Sequence, residues 1–152
     1  MKAVTLYQPW ATLISIGAKR IETRSWSTNF RGLLAIHAGT ERKYITKRSK
    51  YYICDNDPFL WFNNVQMPTG VIIAICELKD CLLIKNWPSW VSLGRVRIGK
   101  VFIPSQERAF GDYTPGRFMW FLENVRELEQ PIPARGALGL WEWTPTGDME
   151  FK

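Results

Sequence analysis

The sequence predicts an α+β domain that is mainly β and is built around a small β-barrel. Its apolar residues fall in short runs bounded by Gly and Pro, which is typical of short strands joined by turns. Few segments have helical spacing. The chain has 152 residues, which suits one domain that buries about 70% of its unfolded surface. We expect a single domain over 1–152, with a core from about 4–143 and a frayed tail at 144–152.

The first half of the chain alternates between predicted strands and helices. Pro9 suits the first position of a helix at about 9–16, and Gly17 is a suitable residue to end it. A turn follows at 27–32. Residues 41–52 contain no helix breaker and are rich in Lys and Arg, so we predict a basic helix of about three turns there. Strands are expected at about 3–8, 18–25 and 33–39.

The second half is predicted to be β-structure. The run at 70–84 is apolar and rich in β-branched residues, which favours a buried strand. Alternating or aromatic segments follow it, separated by Gly and Pro. Further strand segments are expected at 93–102, 116–128 and 136–143.

Positive charge is concentrated in the first third of the chain. Residues 1–50 contain ten Lys and Arg but only two acidic residues, a balance of +8. Residues 51–152 contain ten basic and twelve acidic residues, a balance of −2. Clustered positive charge is typical of a protein that binds a polyanion, although a basic surface without a function would show the same pattern.

Composition argues against several other classes of protein. No apolar run approaches the roughly 20 residues that a membrane helix needs, and the first residues do not resemble a secretory signal. We therefore expect an intracellular protein with no membrane association, cytoplasmic or, in a eukaryote, alternatively nuclear. Three Cys and one His at unsuitable spacing predict neither a disulfide framework nor a zinc site. Cys76, inside an apolar run, is expected to be a buried free thiol.

An unusual set of side chains follows the first predicted helix. Arg20, Glu22, Arg24 and Trp26 would project from one face of a strand, as either a solvated face or a polar binding site. Lys19 has the opposite parity, so it joins that face only if the chain is still turning out of the helix. Such a lysine can cap the helix or contact an anion, and if desolvated it can act as a base or nucleophile.

Three further side chains are candidates for chemistry. His37 lies in a buried-looking strand, where a lone histidine is more often a core residue than a catalyst, and no nucleophile elbow accompanies it. Arg117 begins a strand after a TPGR turn and could contact a phosphate, although no Gly-rich phosphate loop is present. Glu77 ends an apolar strand face and needs a partner, either as a structural ion pair or as a functional acid. Its available cationic partners are Lys19, Arg24 and Arg31.

Four blocks of the sequence resemble an ASCH domain. They are LYQPWATLISIGAKRIETRSW, RGLLAIHAG, FGDYTPGRFMWFLENV and GALGLW. The resemblance runs from about residue 4 to 141 and leaves 40–69 without a matching motif. It implies a PUA-like β-barrel with flanking helices and a cleft that takes RNA, DNA or a modified nucleotide.

The same resemblance implies which residues would line the cleft. Glu77 matches the family's acidic position on the next central strand. The basic helix adds Arg42, Lys43 and Lys47 as residues that would steer a nucleic-acid backbone. The cleft residues are expected to be Gln8, Trp10, Lys19, Glu22, Arg24, Trp26, Arg31 and His37.

Family members differ in activity. One branch that this chain resembles removes the acetyl group of N4-acetylcytidine with a Lys, a Thr three residues later and a distant Glu. Lys19 and Glu77 could fill two of these positions, but Glu22 occupies the Thr position, and Thr23 lies one place away on the other face. Other branches are ribonucleases or bind nucleic acid without catalysis.

The first hypothesis is therefore a monomeric module, without cofactor or metal, that binds RNA, single-stranded DNA or a modified nucleoside. Lys19, Arg24 and Arg31 would contact phosphate, a Trp would stack on a base, and Glu22 or Glu77 would accept a hydrogen bond from an exocyclic amine. The second hypothesis is a metal-independent hydrolase, an amidohydrolase or ribonuclease, with Lys19, Glu22 and Glu77 as its catalytic groups. The third is a protein-interaction domain that uses the aromatic residues at 59–62.

Overall fold

The structure of the chain is a computed structural model that describes residues 1–41, 65–85, 96–98 and 101–152. For 96–98 and 101–102 only the backbone is described. Nearly all of the predicted basic helix, with Arg42, Lys43 and Lys47, lies outside the described residues, and so does the aromatic segment 59–62. None of the helices in the described ranges is long and apolar enough to cross a membrane.

The described residues form eight strands and two short helices. The helices are α1 (Trp10–Ser15) and α2 (Ser105–Ala109). The strands are β1 (Lys2–Leu6), β2 (Ile21–Arg24), β3 (Gly32–Ala38), β4 (Val71–Leu83), β5 (Val96–Ile98), β6 (Val101–Ile103), β7 (Phe118–Pro133) and β8 (Leu140–Glu142).

Six of the strands form one curled sheet in the order β2-β7-β4-β3-β1-β8. The β1–β3 pair is parallel, and the other pairs in this sheet are antiparallel. The two long central strands, β4 and β7, are irregular, with three register shifts between them. Such bulges increase the local twist of a sheet, so they help this sheet to curl as a half-barrel. Strands β5 and β6 pair separately as a two-stranded sheet.

Alternation along the strands divides the core between the two faces of the sheet. The face that packs α1, called the helix face below, includes Leu34, Ile36, Leu78 and Trp120. The opposite face includes Ala35, Ile75 and Trp143 among its core residues. Cys76 is buried on the helix face, as predicted, and desolvation raises the pKa of its thiol to about 12.

Three local predictions differ from the structure. Strand β2 begins at Ile21 rather than near residue 18, because the backbone N–H of Lys19 donates to Leu13 O, at 2.9 Å, and still belongs to the helix exit. The short helix α2 was not predicted. The end of the chain is not frayed, because it pairs with β7 through Glu129 N–H to Glu150 O at 3.0 Å and Lys152 N–H to Glu127 O at 3.1 Å.

Gly136 closes the loop before β8 over the side chain of His37. A Cβ atom at this position would lie 2.5 Å from His37 Cε1 and 2.8 Å from Thr5 Oγ1. His37 is held there, since its Nε2 lies 3.0 Å from Ala134 O and its Nδ1 lies 3.2 Å from Thr5 Oγ1. The ring cannot move aside without losing these hydrogen bonds, so only glycine fits the contact.

We therefore expect Gly136→Ala to lower the free energy of unfolding by about 1–3 kcal/mol through overpacking. Thermal unfolding measures this as a fall in Tm of about 2–4 °C per kcal/mol for a chain of this size. Gly147→Ala is the matched control, because a Cβ at 147 meets nothing within 4 Å. Equal melting temperatures for the two variants would contradict the contact.

Candidate nucleic-acid interface

The exit of α1 turns the side chain of Lys19 into the protein. Gly17 has φ +74°, a left-handed conformation that glycine adopts without strain, and its N–H donates to Ile14 O at 2.9 Å. Lys19 follows within the same turn, before β2 begins. The geometric condition for Lys19 to join the following residues is therefore met, and the side chain is fully buried.

Two carboxylates and one backbone carbonyl surround the Lys19 ammonium group. Its Nζ donates to Ile21 O. It lies 3.5 Å from Glu22 Oε2 and 3.9 Å from Glu107 Oε1. Since a buried ammonium is costly without partners, these groups explain how a lysine can occupy the interior. We call Lys19, Glu22 and Glu107 the buried ion cluster.

Glu107 attaches α2 to the start of β2. Its Oε2 accepts a hydrogen bond from Arg20 N–H at 2.8 Å, and its Oε1 accepts one from Ile21 N–H at 3.0 Å. Desolvation raises the pKa of this carboxyl, an effect that Lys19 and the two N–H donors partly offset. Sequence reasoning missed Glu107, whose one signal was its place three residues before the FGDYTPGR block.

The wall is our name for three side chains that follow one another along the helix face: Glu22, Arg24 and Trp26. Glu22 belongs both to the wall and to the buried ion cluster. Glu22 Oε1 lies 3.7 Å from Arg24 Nη1. The Arg24 guanidinium carbon lies 5.5 Å from the centre of the Trp26 ring. Trp26 in turn meets the buried Trp120 edge to face, with ring centres 4.7 Å apart and planes at 89°. The structure thus brings four of the predicted site residues together, namely Lys19 and the three wall residues.

Arg20 does not share this wall, because it precedes the strand. Only its backbone is tied into the site, by the bond to Glu107. Its side chain is exposed.

A loop at 111–117 covers the outer edge of β2, the edge strand of the sheet. Asp112 N–H donates to Thr23 Oγ1 at 3.1 Å. Arg117 donates from Nη2 to Thr23 O and from Nε to Asp112 O, both at 3.1 Å. The structure therefore gives Arg117 a structural role at this edge, where unpaired backbone groups would otherwise be exposed.

Gln8 and Arg31 are engaged elsewhere. Gln8 is fully buried, donates from Nε2 to Pro68 O at 2.8 Å and accepts from Thr12 N–H at 3.1 Å, so it supports the start of α1. Arg31 pairs with Asp80 at 2.9 Å and also donates to Thr28 O and Phe30 O.

Trp10 is half-buried and packs with Leu13 and Phe110. As the first residue of α1, it packs against the segment that follows α2.

His37 and Glu77 lie away from the wall. His37 shares the opposite face with Ala35 by strand alternation, and its ring meets Trp141 at 5.7 Å between centres. Desolvation lowers the pKa of His37, although its bond to Ala134 O acts in the other direction. Glu77 accepts from Asn124 Nδ2 at 3.0 Å and lies 3.8 Å from Lys79 Nζ. The structure thus pairs Glu77 with none of its predicted partners, and Glu107 is the second acid beside Lys19.

The wall combines three kinds of contact that a planar polar ligand can use. Glu22 offers carboxylate oxygens, Arg24 a half-buried cation, and Trp26 a half-buried aromatic ring. Within the described ranges, no group of three or more His, Cys, Asp or Glu side chains could hold a metal ion. Lys19 is fully buried and lies beside the carboxylates of Glu22 and Glu107, whose charge it offsets.

The curled, mainly-β sheet with its few short helices is consistent with a PUA-like fold. The model of the ASCH domain family matches residues 4–132. The chain therefore belongs to the ASCH domain family.

Two curated relatives are similar over most of the chain. Activating signal cointegrator 1 of Mus musculus is 25% identical over 142 residues, and that of Homo sapiens is 27% identical over 144 residues. Each alignment covers 91% of this chain but 22% of the relative. The chain thus spans about a fifth of the length of these relatives.

Solved structures support the fold. The crystal structure of ASCH from Zymomonas mobilis matches with a TM-score of 0.51 and 15% identity, covering 95% of this chain and 87% of that one. The crystal structure of a point mutant of that protein has the same TM-score and identity, with 90% of that chain covered. At this identity the likeness concerns the fold alone.

We expect Lys19→Met to lower the free energy of unfolding by about 3–5 kcal/mol, because it leaves two acids beside an uncharged side chain. Lys2→Met is the matched control. Lys2 pairs with Glu142 at 2.6 Å on the surface, where such a pair contributes about 0–1 kcal/mol. Urea unfolding of both variants at one pH measures the difference, and a similar loss in the two would show that the buried ion cluster is not a main source of stability.

Proposed function

We propose that this chain binds RNA, single-stranded DNA or a modified nucleotide at the wall formed by Glu22, Arg24 and Trp26. The observation that carries the proposal is the adjacency of a carboxylate, a guanidinium and an indole ring on one short segment. Trp26 would stack on an unpaired base. Arg24 would contact the phosphate next to that base, and Glu22 would accept a hydrogen bond from an exocyclic amine.

Rigidity of the wall supports this proposal. Glu22 is held between Lys19 and Arg24. The rings of Trp26 and Trp120 meet edge to face. Side chains that are already ordered lose less entropy when a ligand binds. The wall would therefore meet a base without first having to rearrange.

Charge and family membership support the same proposal. The balance of +8 over residues 1–50 would attract a polyanion. Part of that charge, including Arg42, Lys43 and Lys47, would steer the backbone from outside the described residues. The chain belongs to the ASCH family, and its resemblance to that family implied a cleft for RNA, DNA or a modified nucleotide.

A metal-independent hydrolase acting in the same cleft is the second candidate. The observation in its favour is the buried ion cluster, since a desolvated lysine beside carboxylates can serve in proton transfer. Glu107 rather than Glu77 would then be the second acid. Incubation with N4-acetylcytidine and with RNA tests it, and absence of turnover above buffer, or equal turnover by Lys19→Met, would count against it.

Binding of fluorescent oligonucleotides at low salt tests the first proposal. We expect Trp26→Ala to weaken binding of single strands by about 1–3 kcal/mol, the contribution of one stacked base. Arg24→Ala should weaken binding and also reduce its salt dependence. Arg135→Ala, an exposed arginine in the loop before β8, is the matched control and should bind as the wild type does.

Each variant is compared at a temperature well below its own melting temperature, because Trp26 also packs against Trp120. The proposal fails if the wild type binds no single-stranded RNA, single-stranded DNA or duplex at low salt. It also fails if Arg24→Ala and Trp26→Ala bind as tightly as Arg135→Ala.

A further inference from the structure

A cavity of about 710 Å³ lies beside the wall, where β2 begins. Its lining includes Arg20, which precedes β2, Ile21 at the start of β2, Glu107 from α2, and Phe121 and Glu123 from β7. Its volume falls within the range of about 300–1,000 Å³ that is usual for small-molecule sites. None of the three wall residues contributes to the lining, so the cavity is a separate feature of the fold.

The cavity lies at the end of the β2–β7 ladder where β2 begins. Glu22 pairs with Trp120 across the β2–β7 ladder, and Trp120 belongs to the helix face. Ile21 pairs with Phe121, and both pack in a different cluster. The lining takes Ile21 and Phe121 from that cluster and Leu122 from the helix face, so the cavity spans the end of the β2–β7 ladder.

Glu107 joins the two regions. It lines the cavity, its Oε1 lies 3.9 Å from Lys19 Nζ, and its oxygens accept the N–H groups of Arg20 and Ile21. An ionised carboxylate has about four acceptor positions. The two backbone N–H groups therefore leave acceptor capacity on this carboxylate.

The chemistry of the lining suits a nucleobase better than a chain of phosphates. Glu107 and Glu123 supply two carboxylates against one guanidinium, that of Arg20, so the cavity does not attract anions overall. The half-buried Phe121 supplies an aromatic ring. Carboxylates accept hydrogen bonds from the exocyclic amines of bases, and aromatic rings stack on bases.

We propose that this cavity accepts the base next to the one bound at the wall, and that it prefers a base with an exocyclic amine. Glu123 would accept the amine, Phe121 would stack on the base, and the exposed Arg20 would contact the phosphate that joins the two nucleotides. This inference rests on the proposed function. It adds a second base position and a base preference to it.

Oligocytidine and oligouridine of equal length test the preference, because cytosine carries an amine where uracil carries a carbonyl oxygen. We expect wild-type protein to bind oligocytidine more tightly by about fivefold, the lower end of what one base contact contributes. This ratio would have two sources, Glu22 at the wall and Glu123 in the cavity. Glu123→Ala should remove most of the preference that comes from the cavity. Arg20→Ala should weaken both oligomers and reduce the slope of log K against log salt by about 0.7, the value for one phosphate contact on a single strand.

Glu129→Ala and Arg135→Ala are the matched controls, an exposed glutamate on the same strand and an exposed arginine in the loop before β8. Both should leave affinity, base ratio and salt slope unchanged. If the wild type binds and Arg24→Ala weakens binding, while Arg20→Ala and Glu123→Ala match their controls, the cavity proposal is overturned and the proposed function stands. If the wild type binds neither oligomer, the cavity proposal is overturned, and the proposed function is overturned as well if no other single strand or duplex binds at low salt.

Discussion

The buried ammonium group of Lys19 is the constraint on which the rest of this site depends. A lysine with no solvent exposure needs compensating partners, because an unpaired buried charge is prohibitively costly. Here the partners come from three places in the chain: the carbonyl of Ile21, the carboxylate of Glu22 and the carboxylate of Glu107. One side chain thereby connects the exit of α1, the first two residues of β2 and the helix α2.

This connection also makes the edge of the sheet a firm support for the proposed binding surface. Glu107 ties α2 to the first two residues at the start of β2, and Asp112 and Arg117 tie the following loop to Thr23. With its outer edge covered, β2 is held in register beside β7. Glu22 and Arg24 then lie on the helix face of a strand that is held on both sides, and Trp26 follows two residues later.

Much of the fold could be predicted from the sequence, because it follows from local patterns. Apolar runs bounded by Gly and Pro indicated β1, β3, β4 and β7, and Pro9 and Gly17 indicated the ends of α1 within a residue or two. The grouping of Glu22, Arg24 and Trp26 was also accessible, since it follows from alternation along one strand. Lys19 remained conditional, because its direction depends on the turn at Gly17.

Long-range pairing could not be predicted in the same way. Glu77 had the right phase for a buried acid, yet Asn124 and Lys79 lie nearer to it than any predicted partner. Glu107 became a partner of Lys19 only because α2, far along the chain, folds onto the edge of β2. The order of the tail likewise depends on β7 having room for Glu150 and Lys152 along its free edge.

The central claim is that nucleic acid meets the helix face of the sheet at a wall held by Lys19. The most direct measurement is the indole N–H spectrum of the protein during titration with a single-stranded oligonucleotide. Signals of Trp26 and Trp120 should shift, while those of Trp141 and Trp143, which pack with the core cluster of the opposite face, should stay in place. Shifts confined to Trp141 and Trp143, with Trp26 and Trp120 unchanged, would contradict the claim.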